Sequence, residues 1–346
     1  MKQNVLNFCI SPLIEWYEEN CRTLPFRESR LPYHIWVSEI MLQQTRVSTA
    51  VPYFERFVKA LPTIALLAAC DEEKLLKLWQ GLGYYNRVRN LQKGAREVCE
   101  KFGGELPADY DQLRSITGIG EYTAGAIASI AFGLKTPAVD GNVLRVVSRL
   151  CGDESDITGI GLRREYADVL RPLMPDGKES EFTQALMELG ALVCVPNGEP
   201  HCSSCPLRFW CVAHNEGTTD SIPFKSAKKA RRVESRDVYL VFSDDGKVLL
   251  HKREDRGLLA GLWEFPNFLE GEETPSFLKG LELEKGIRAK HVFSHVEWQM
   301  QALITQTSLD VCDDRFVFAS VEELENLYAV PSAFSAFFKV VAEKIS

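Results

Sequence analysis

The chain has 346 residues, 45% of them apolar and 25% charged, a composition typical of a globular protein with room for two domains. It has no apolar run of about 20 residues that could span a membrane, and its acidic start has no signal-peptide pattern, so we expect a cytoplasmic protein, nucleoid-associated if bacterial, with reduced cysteines. The net charge of −8 disfavours phosphate binding over the whole surface, although a local basic patch could still bind nucleic acid.

The first two-thirds of the sequence has the periodicity of helices and no strand-like alternation of any length. Segments rich in Pro, Gly and Asp separate the helical stretches. Apolar residues recur at helical spacing in two clear places: Leu6, Cys9, Leu13 and Trp16, and then Val88, Leu91, Ala95 and Val98. We therefore predict an all-helical region over residues 1–217.

A polar segment, residues 218–236, is predicted to be a linker and carries the basic residues Lys225, Lys228, Lys229, Arg231 and Arg232. Strand patterns follow it. "DVYLVF", the turn "SDDGK" and "VLLHKR" predict a hairpin, "HVFSHVEWQMQALI" predicts another strand, and "SAFSAFFKVVAEK" predicts a closing helix. Residues 237–346 are therefore expected to form a smaller α+β domain.

Two glycines precede a helical run in "TGIGEYTAGAI". Gly118 and Gly120 allow a tight turn, and the helix that follows offers free N–H groups and a positive dipole end to a phosphate. Such a site contacts the DNA backbone and reads no base sequence. A plain helix start explains the same glycines, so both interpretations stay open here.

Two acidic residues stand in contrasting surroundings. Glu39 lies in the apolar run "WVSEIMLQQT", where burial would raise its pKa and suit a general acid. Asp140 lies in "AVDGNVLRV", just before a helix, where it should stay ionised and stabilise a cation. Such a pair could cleave a glycosidic bond through an oxocarbenium-like state, but a surface glutamate and an Asp helix cap explain the same residues.

Four of the ten cysteines, Cys194, Cys202, Cys205 and Cys211, fall within 18 residues. Four thiolates this close can hold zinc or an iron–sulfur cluster. Only Cys202 and Cys205 form a C-x-x-C pair, and this nested spacing favours a compact cubane over a zinc finger. Unconnected buried thiols are the remaining alternative.

Together these motifs resemble those of the helix-hairpin-helix DNA glycosylases that carry a 4Fe–4S cluster, and most closely the MutY-type adenine DNA glycosylases. The stretches that carry the resemblance are "PYHIWVSEIMLQQTRV", "LWQGLGYYNRVRNL", "GIGEYTAGAI", "AVDGNVLRV", "FTQALMELGALVC" and "CSSCPLRFWC". The resemblance implies a mainly α catalytic region, a six-helix barrel with the hairpin plus an iron–sulfur helical lobe, followed by an α+β Nudix-like domain. It also implies a monomeric base-flipping enzyme of base excision repair, which removes adenine mispaired with 8-oxoguanine or guanine in double-stranded DNA.

The resemblance also assigns roles to single residues. Glu39 would protonate adenine at N7 and later activate water, Asp140 would stabilise the oxocarbenium ion, and Tyr122 and Asn142 would support them. Cys194, Cys202, Cys205 and Cys211 would ligate the 4Fe–4S cluster. The implied DNA- and base-binding residues are Arg27, Gln44, Leu82, Tyr84, Gly118, Gly120, Gln184, Phe293, Ser294 and His295. Among them Arg27 and Gln184 would line the adenine pocket, and Gln44 and Tyr84 would wedge into the duplex.

The C-terminal region matches the Nudix-like domain of the same family, in which the "FSH" loop contacts 8-oxoguanine and Ser294 would supply the hydrogen bond. A Nudix hydrolase needs a helix with the pattern R-E-x-x-E-E-x-G. The nearest match, "KGLELEKGI" at residues 279–287, keeps only Glu284 and Gly286, and Asn267-Phe268 replaces the glycine pair after "WEFP". We therefore expect a recognition module without the carboxylates that hold magnesium.

Two features depart from the family pattern. Seven residues, "VPNGEPH", separate the first two cluster cysteines where the family usually has six, and we expect the extra residue to bulge outward. Phe26 replaces the usual tryptophan of the pocket, which keeps an aromatic face but loses the indole N–H.

Two other functions share some of these features. An endonuclease III-type glycosylase with lyase activity needs a lysine nucleophile in the hairpin helix, but position 122 is Tyr and the next lysine is Lys135. A non-catalytic iron–sulfur DNA-binding protein would not need both Glu39 and Asp140. The expected DNA face collects Arg46, Arg87, Arg89, Lys93 and the basic linker.

Overall fold

The computed structural model describes residues 2–227, 230–272, 278–308 and 315–345. The chain divides into two compact units, one made of Met1–Ala69 and Arg89–Ala227 and the other of Cys70–Val88 and Lys228–Ser346. The limits predicted from the sequence, at residues 217/218 and 236/237, stay a prediction. Nowhere in the described ranges is a helix both long and apolar enough to cross a membrane.

The region up to residue 227 is helical throughout, as predicted. Its α-helices are α1 (Lys2–Asn20), α2 (Pro25–Glu28), α3 (Pro32–Leu42), α4 (Val47–Ala60), α5 (Ile64–Ala69), α6 (Glu72–Trp79), α7 (Asn86–Phe102), α8 (Tyr110–Ser115), α9 (Glu121–Ala126), α10 (Gly141–Cys151), α11 (Ile160–Leu170), α12 (Glu179–Leu192) and α13 (Val212–Asn215). A π-helical turn, Ile127–Ala131, extends α9, and short 3₁₀ turns lie at Arg171–Leu173, Cys202–Ser204 and Arg208–Trp210.

Burial of apolar faces explains these helices. The predicted stripe of α7 is fully buried, and Leu6, Cys9 and Leu13 of α1 are buried as well. α1 continues through Pro12, because the burial of its apolar face outweighs the single backbone hydrogen bond that a proline cannot make. α3 is buried on almost all sides, which places Glu39 in the interior of the first unit.

The second unit contains one mixed sheet. Its elements after the linker are β1 (Arg232–Ser243), β2 (Val248–Lys252), β3 (Trp263–Glu264), β4 (Asn267–Leu269), β5 (Glu284–Val292), β6 (Val296–Thr307), β7 (Phe316–Ala319), α14 (Val321–Asn326) and α15 (Ser335–Ile345). The strand order is β3-β2-β1-β6-β5, with β4 also paired to β1 and β7 to β2. β1 and β6 are parallel, and the other pairs are antiparallel. Phe334 and Phe337 pack with Trp298 in the core, so the predicted α+β class and closing helix are confirmed.

The predicted hairpin of β1 and β2 is confirmed, with Phe242 opposite Val248. β1 begins at Arg232, within residues 218–236, and Lys228 and Lys229 of that segment lie outside the described residues, so the linker limits stay a prediction. One expectation was wrong in detail. "HVFSHVEWQMQALI" is not one strand but the end of β5, a turn and β6, and the turn is closed by Phe293 N–H donating to the Val296 carbonyl at 2.8 Å.

Helix α6 belongs to the second unit although it lies far from the rest of that unit in sequence. Lys77 Nζ donates to the carbonyls of Leu324 at 2.8 Å and Tyr328 at 3.1 Å, and Gln80 Nε2 donates to the Val330 carbonyl at 2.8 Å. These contacts are between side chains of α6 and backbone of the α14 region, and therefore leave no pattern in the sequence.

Candidate active site and cysteine loop

A cavity of about 540 Å³ in the first unit brings together both predicted acids and several of their predicted partners. The residues that line it include Phe26, Arg27, Glu39, Gln44, Tyr122, Asp140, Asn142 and Gln184 from the sequence prediction, and Arg22, Arg163 and Glu188, which were not predicted. The elements that supply these side chains are α2, α3, α9, α10, α11 and α12 with their adjoining loops. The site is therefore assembled from positions as much as 166 residues apart, such as Arg22 and Glu188.

Glu39 is buried in α3, with 7% of its surface exposed. Burial raises the pKa of Glu39 to about 7, and the nearby Asp140 adds to the shift, whereas the hydrogen bond from Tyr122 and the charge of Arg27 oppose it. Tyr122 Oη donates that hydrogen bond to Glu39 Oε2 at 2.5 Å. The predicted rise in the pKa of Glu39 is confirmed, and the carboxyl can exchange a proton near neutral pH.

Tyr122 stays a neutral donor because burial, followed by the nearby carboxylates, raises its pKa far above the ordinary value. It lies on α9, which packs closely against the segment that leads to Asp140. A Cβ at Gly125 of α9 would lie 2.8 Å from the Pro137 carbonyl oxygen, so glycine permits this approach. The same packing brings Glu39, Tyr122 and Asp140 to one cavity.

Asp140 is the N-cap of α10, and its Oδ1 accepts a hydrogen bond from Val143 N–H at 2.7 Å. Asn142 Nδ2 donates to Asp140 Oδ2 at 2.8 Å, and Arg145 Nη2 holds Asn142 by donating to its Oδ1 at 2.8 Å. Burial raises the pKa of Asp140, and the hydrogen bonds from Val143 and Asn142 counteract the rise. The two acids therefore differ in degree rather than in direction, because Asp140 is more buried than its turn sequence suggests.

The glycine hairpin lies outside the cavity lining. Gly118 has φ +85°, and an added Cβ would lie 3.0 Å from Asn90 Cβ, so this turn requires glycine. Gly120 is the N-cap of α9 and supplies no side-chain hydrogen bond to the first turn. Thr117 fixes the approach to the turn through its Oγ1, which donates to Glu97 Oε1 at 2.6 Å.

The remaining pocket residues are held by their neighbours. Phe26 is buried against Phe54 with ring centroids 5.5 Å apart. Gln184 Nε2 donates a hydrogen bond to Ser180 Oγ at 3.0 Å. The amide oxygen of the Gln184 side chain takes no part in this bond. Gln44 is exposed and has φ +60°, a left-handed conformation that is unusual for a residue other than glycine.

Leu82 and Tyr84 belong to the second unit, in the loop that follows α6. Leu82 is buried, whereas Tyr84 is 49% exposed and has φ +47°. Arg87 Nη2 donates to the carbonyls of Leu82 at 3.0 Å and Gly83 at 3.1 Å, and its guanidinium lies 5.6 Å from the centre of the Tyr84 ring. Arg87 therefore supports this loop, and its place on the DNA face stays a prediction.

The "FSH" residues form the turn between β5 and β6. Phe293 packs edge-on against Trp298 with centroids 4.8 Å apart, while Ser294 and His295 are exposed. Residues 279–287, the stretch nearest to the Nudix hydrolase pattern, form a turn, a loop and the start of β5. None of these described residues is helical. The expectation that this domain is a recognition module without the carboxylates that hold magnesium stays a prediction.

Cys194, Cys202, Cys205 and Cys211 line one small cavity beside α10. Arg149 Nη1 donates to Cys194 Sγ at 3.2 Å. In the part of the chain that the structure describes, no three His, Cys, Asp or Glu side chains converge closely enough to hold a single metal ion. Residues 196–199, in the loop that carries the one extra residue, are exposed, which is consistent with an outward bulge.

Two buried charged residues beside the site were not predicted from the sequence. Glu188 follows Gln184 by four positions on α12, so helical spacing places both on one face and could have revealed it. Arg145 connects the site to the cysteine loop, since its Nε donates to the Cys194 carbonyl at 2.6 Å and its Nη2 to the Gly190 carbonyl at 2.6 Å. No sequence pattern around Arg145 in α10 predicts that it connects the site to the cysteine loop.

Comparisons with known proteins agree with this geometry. A profile described as "HhH-GPD superfamily base excision DNA repair protein" matches residues 37–172, and a "NUDIX domain" profile matches residues 237–340. Solved structures with the same fold include a thermostable thymine-DNA glycosylase, with TM-score 0.56 and 25% identity over 62% of this chain and 97% of that one. An endonuclease III–DNA complex has TM-score 0.53 and 25% identity over 63% of this chain and 98% of that one.

Curated relatives resemble the chain over both units. The adenine DNA glycosylase of Rattus norvegicus is 34% identical over 96% of this chain and 77% of its own length. The human adenine DNA glycosylase is 33% identical over 95% of this chain and 73% of its own length, and that of Buchnera aphidicola from Acyrthosiphon pisum is 32% identical over 82% of each. The chain therefore belongs to the adenine DNA glycosylase family, within the helix-hairpin-helix superfamily of base excision repair proteins.

Proposed function

We propose that this protein excises adenine mispaired with 8-oxoguanine or guanine from duplex DNA and leaves the DNA strand intact. The observation that carries the proposal is Glu39, a buried acid with a pKa raised to about 7, which shares a cavity with Asp140. A buried acid that is still protonated near neutral pH can protonate a leaving base. Similarity to adenine DNA glycosylases over 96% of the chain supports adenine as that base.

In this mechanism Glu39 donates its proton to N7 of the extruded adenine, which weakens the N-glycosidic bond. Tyr122 holds the Glu39 carboxyl in place through its hydrogen bond. Asp140, fixed by the α10 N-terminus and Asn142, stabilises the positive charge that develops on the sugar. Glu39, now ionised, accepts a proton from the water that completes hydrolysis.

Double-stranded DNA is the proposed partner, bound by a monomer through the glycine hairpin and by residues that replace the extruded base. The first turn of α9 has no side-chain cap and can direct its N–H groups at a phosphate. Gln44 and Tyr84 both have left-handed backbones, and such strain outside glycine is concentrated at functional sites. Gln44 is exposed and Tyr84 is 49% exposed, as insertion into a duplex requires.

The side chains available at the cavity support the proposed monofunctional chemistry. A lyase requires an amine that attacks the sugar. Among the described residues none of those that line the cavity is a lysine, and Lys135, the first lysine after the hairpin, pairs with Asp176 at 2.7 Å. The phenol of Tyr122 can donate a hydrogen bond but cannot form a Schiff base.

One assay separates this function from its rivals. The protein is incubated with a duplex that contains A opposite 8-oxoguanine, and strand breaks are measured with and without alkali. We expect breaks only after alkali, which is the result for a monofunctional glycosylase. Breaks without alkali would indicate an endonuclease III-type lyase, and the absence of adenine release would contradict both enzymatic functions.

We also propose that the four cysteines hold a 4Fe–4S cluster. The donor set fits, because four thiols surround one space, and in a cubane each cysteine binds a different iron and need not converge on one point. The cluster, when bound, would tie the cysteine loop to α10 beside Arg149. We expect about four iron and four sulfide ions per chain by chemical analysis. Zinc without iron would overturn the assignment.

Replacing Ser294 with Ala should reduce the preference for 8-oxoguanine over guanine opposite adenine, by about tenfold for one lost hydrogen bond. Phe293 anchors the turn, so the exposed Ser294 hydroxyl can be presented without a rearrangement of the strands. The measurement is the ratio of single-turnover rates on the two duplexes. Ser332→Ala, at another exposed serine of the same unit, is the control. An unchanged ratio in Ser294→Ala would show that this turn does not recognise the lesion.

A further inference from the structure

A buried carboxylate that the proposed mechanism does not use lies at the cavity. Glu188 of α12 is 0% exposed, yet both of its oxygens accept hydrogen bonds. Arg22 donates to it through Nε at 2.9 Å and through Nη2, and Arg27 Nη2 lies 2.9 Å from Oε1. Two arginines from one short segment are thus held by a single acid on a distant helix.

Arg27 has one nitrogen that this arrangement leaves free. Its Nη1 is buried and has no hydrogen-bond partner among the described atoms. A buried donor without a partner is unfavourable unless a ligand satisfies it. Arg27 lines the cavity together with Glu39, so a ligand in that cavity is the available partner. The ring nitrogens of a purine are acceptors that match such a donor.

We propose that Glu188 is a positioning residue, which fixes Arg27 through Nη2 so that Nη1 donates to a ring nitrogen of the extruded adenine and the charge of Arg27 stays beside Glu39. This inference rests on the proposed function. Because the guanidinium is planar and rigid, fixing one nitrogen also fixes the direction of the other. Without the Glu188 carboxylate, Arg27 would lose its ion-pair partner and would be expected to turn toward solvent.

Glu188 remains an anion over the whole range of an activity assay. Burial raises its pKa, but the hydrogen bonds from Arg22 and Arg27 and their charges outweigh this effect and bring the pKa of Glu188 to about 2. The charge of Arg27 in turn lowers the pKa of Glu39. The position of Arg27 therefore affects both its hydrogen bond to the base and the pKa of Glu39, the acid that protonates the base.

The test compares Glu188→Gln with Glu181→Gln, the same change on the same helix at a glutamate whose partner, Arg30, lies 2.7 Å away on the surface. We expect Glu188→Gln to slow single-turnover adenine release by about 100-fold, the loss typical of a misplaced catalytic group, with duplex affinity nearly unchanged. Glu181→Gln should match the wild type. An inactive wild type would contradict the proposed function, whereas an active wild type with an equally active Glu188→Gln would overturn this inference alone.

The pH profile shows whether Glu188 acts through Arg27. Charged or titratable groups at the cavity that face Glu39 are Arg22, Arg27, Tyr122, Asp140, Arg163 and Glu188. If Glu188→Gln releases Arg27, the pKa of Glu39 rises and the alkaline decline of the rate moves to higher pH. If Arg27 stays in place, loss of the negative charge lowers the pKa of Glu39 and the decline moves to lower pH, which would overturn the inference.

A double variant covers the case in which Glu188→Gln does not fold. Arg27→Met with Glu188→Gln leaves neither a buried Arg27 charge nor a buried carboxylate, and Arg22 keeps 32% of its side chain exposed to water. We expect the double variant to release adenine at the rate of Arg27→Met alone, because Glu188 has nothing left to position. A double variant about tenfold slower than Arg27→Met would show a role independent of Arg27 and would overturn the inference.

Discussion

Glu39→Gln is expected to bind the mispaired duplex normally and to release adenine about 1000-fold more slowly than the wild type. Glutamine keeps the shape of the side chain, and its amide oxygen can still accept the hydrogen bond from Tyr122. It cannot donate a carboxylic proton to the base or accept one from water. Single-turnover release and duplex affinity, measured on the same preparation, separate the chemical step from binding.

Glu18→Gln is the control for this variant, because Glu18 lies on the surface of α1 and pairs with Lys178 at 2.6 Å. We expect it to retain the wild-type rate. Substantial turnover by Glu39→Gln would show that another group supplies the proton. Loss of duplex binding by Glu39→Gln would instead indicate that Glu39 supports the cavity and does not act on the base.

The same variant should differ from the wild type in its pH dependence. The wild-type rate should fall as pH rises through about 7, since Glu39 must carry its proton and its pKa is raised to about 7. Folding then takes up a proton between the ordinary glutamate pKa of 4.5 and about 7, so the wild type loses stability as pH rises across this window. Glu39→Gln lacks that loss, and the difference in unfolding free energy should grow in its favour by about 3 kcal/mol. Denaturant unfolding at several pH values measures it.

Local patterns predict the parts of this fold that depend on local physics. The stripe from Val88 to Val98 is a buried helical face, and the turn at Gly118 has the positive φ that its glycine allows. The burial of Glu39 follows from the apolar run around it, which is buried on almost every side. In each case the residue and the neighbours that determine its environment lie within one or two helical turns. A short stretch of sequence is therefore enough to predict that environment.

Contacts between segments distant in sequence determine the parts of the fold and of the site that local patterns do not predict. Glu188 contacts Arg22 and Arg27 across about half of the chain. Its spacing from Gln184 places it on the same face of α12, but no local pattern predicts which arginines pair with it. The α6 segment joins the second unit through Lys77 and Gln80, which donate to backbone carbonyls and so place no constraint on their partners' side chains. Local surroundings indicate what chemistry Glu39 and Asp140 could perform, whereas the assignment of adenine as the base comes from family resemblance.

Asp140→Asn tests the other half of the mechanism and should slow adenine release by about 1000-fold, which corresponds to about 4 kcal/mol of lost transition-state stabilisation. Asn caps helices about as well as Asp, and its Oδ1 can keep the hydrogen bond from Val143, so α10 should remain folded. The change removes the negative charge that would face the oxocarbenium ion. Single-turnover rates, with thermal unfolding as a check on folding, measure the effect.

Asp109→Asn is the matched control, because Asp109 caps α8 in the same unit through a 2.8 Å hydrogen bond from Gln112 N–H and does not line the cavity. If Asp140 were only a cap, both variants would behave alike, with small losses of stability and wild-type rates. If Asp140 also stabilises the cation, only its variant loses activity, while the losses of stability remain small for both variants. The cap and the charge are then separable functions of one carboxylate: Oδ1 holds the helix, while Oδ2, bound by Asn142, is kept in place for the sugar.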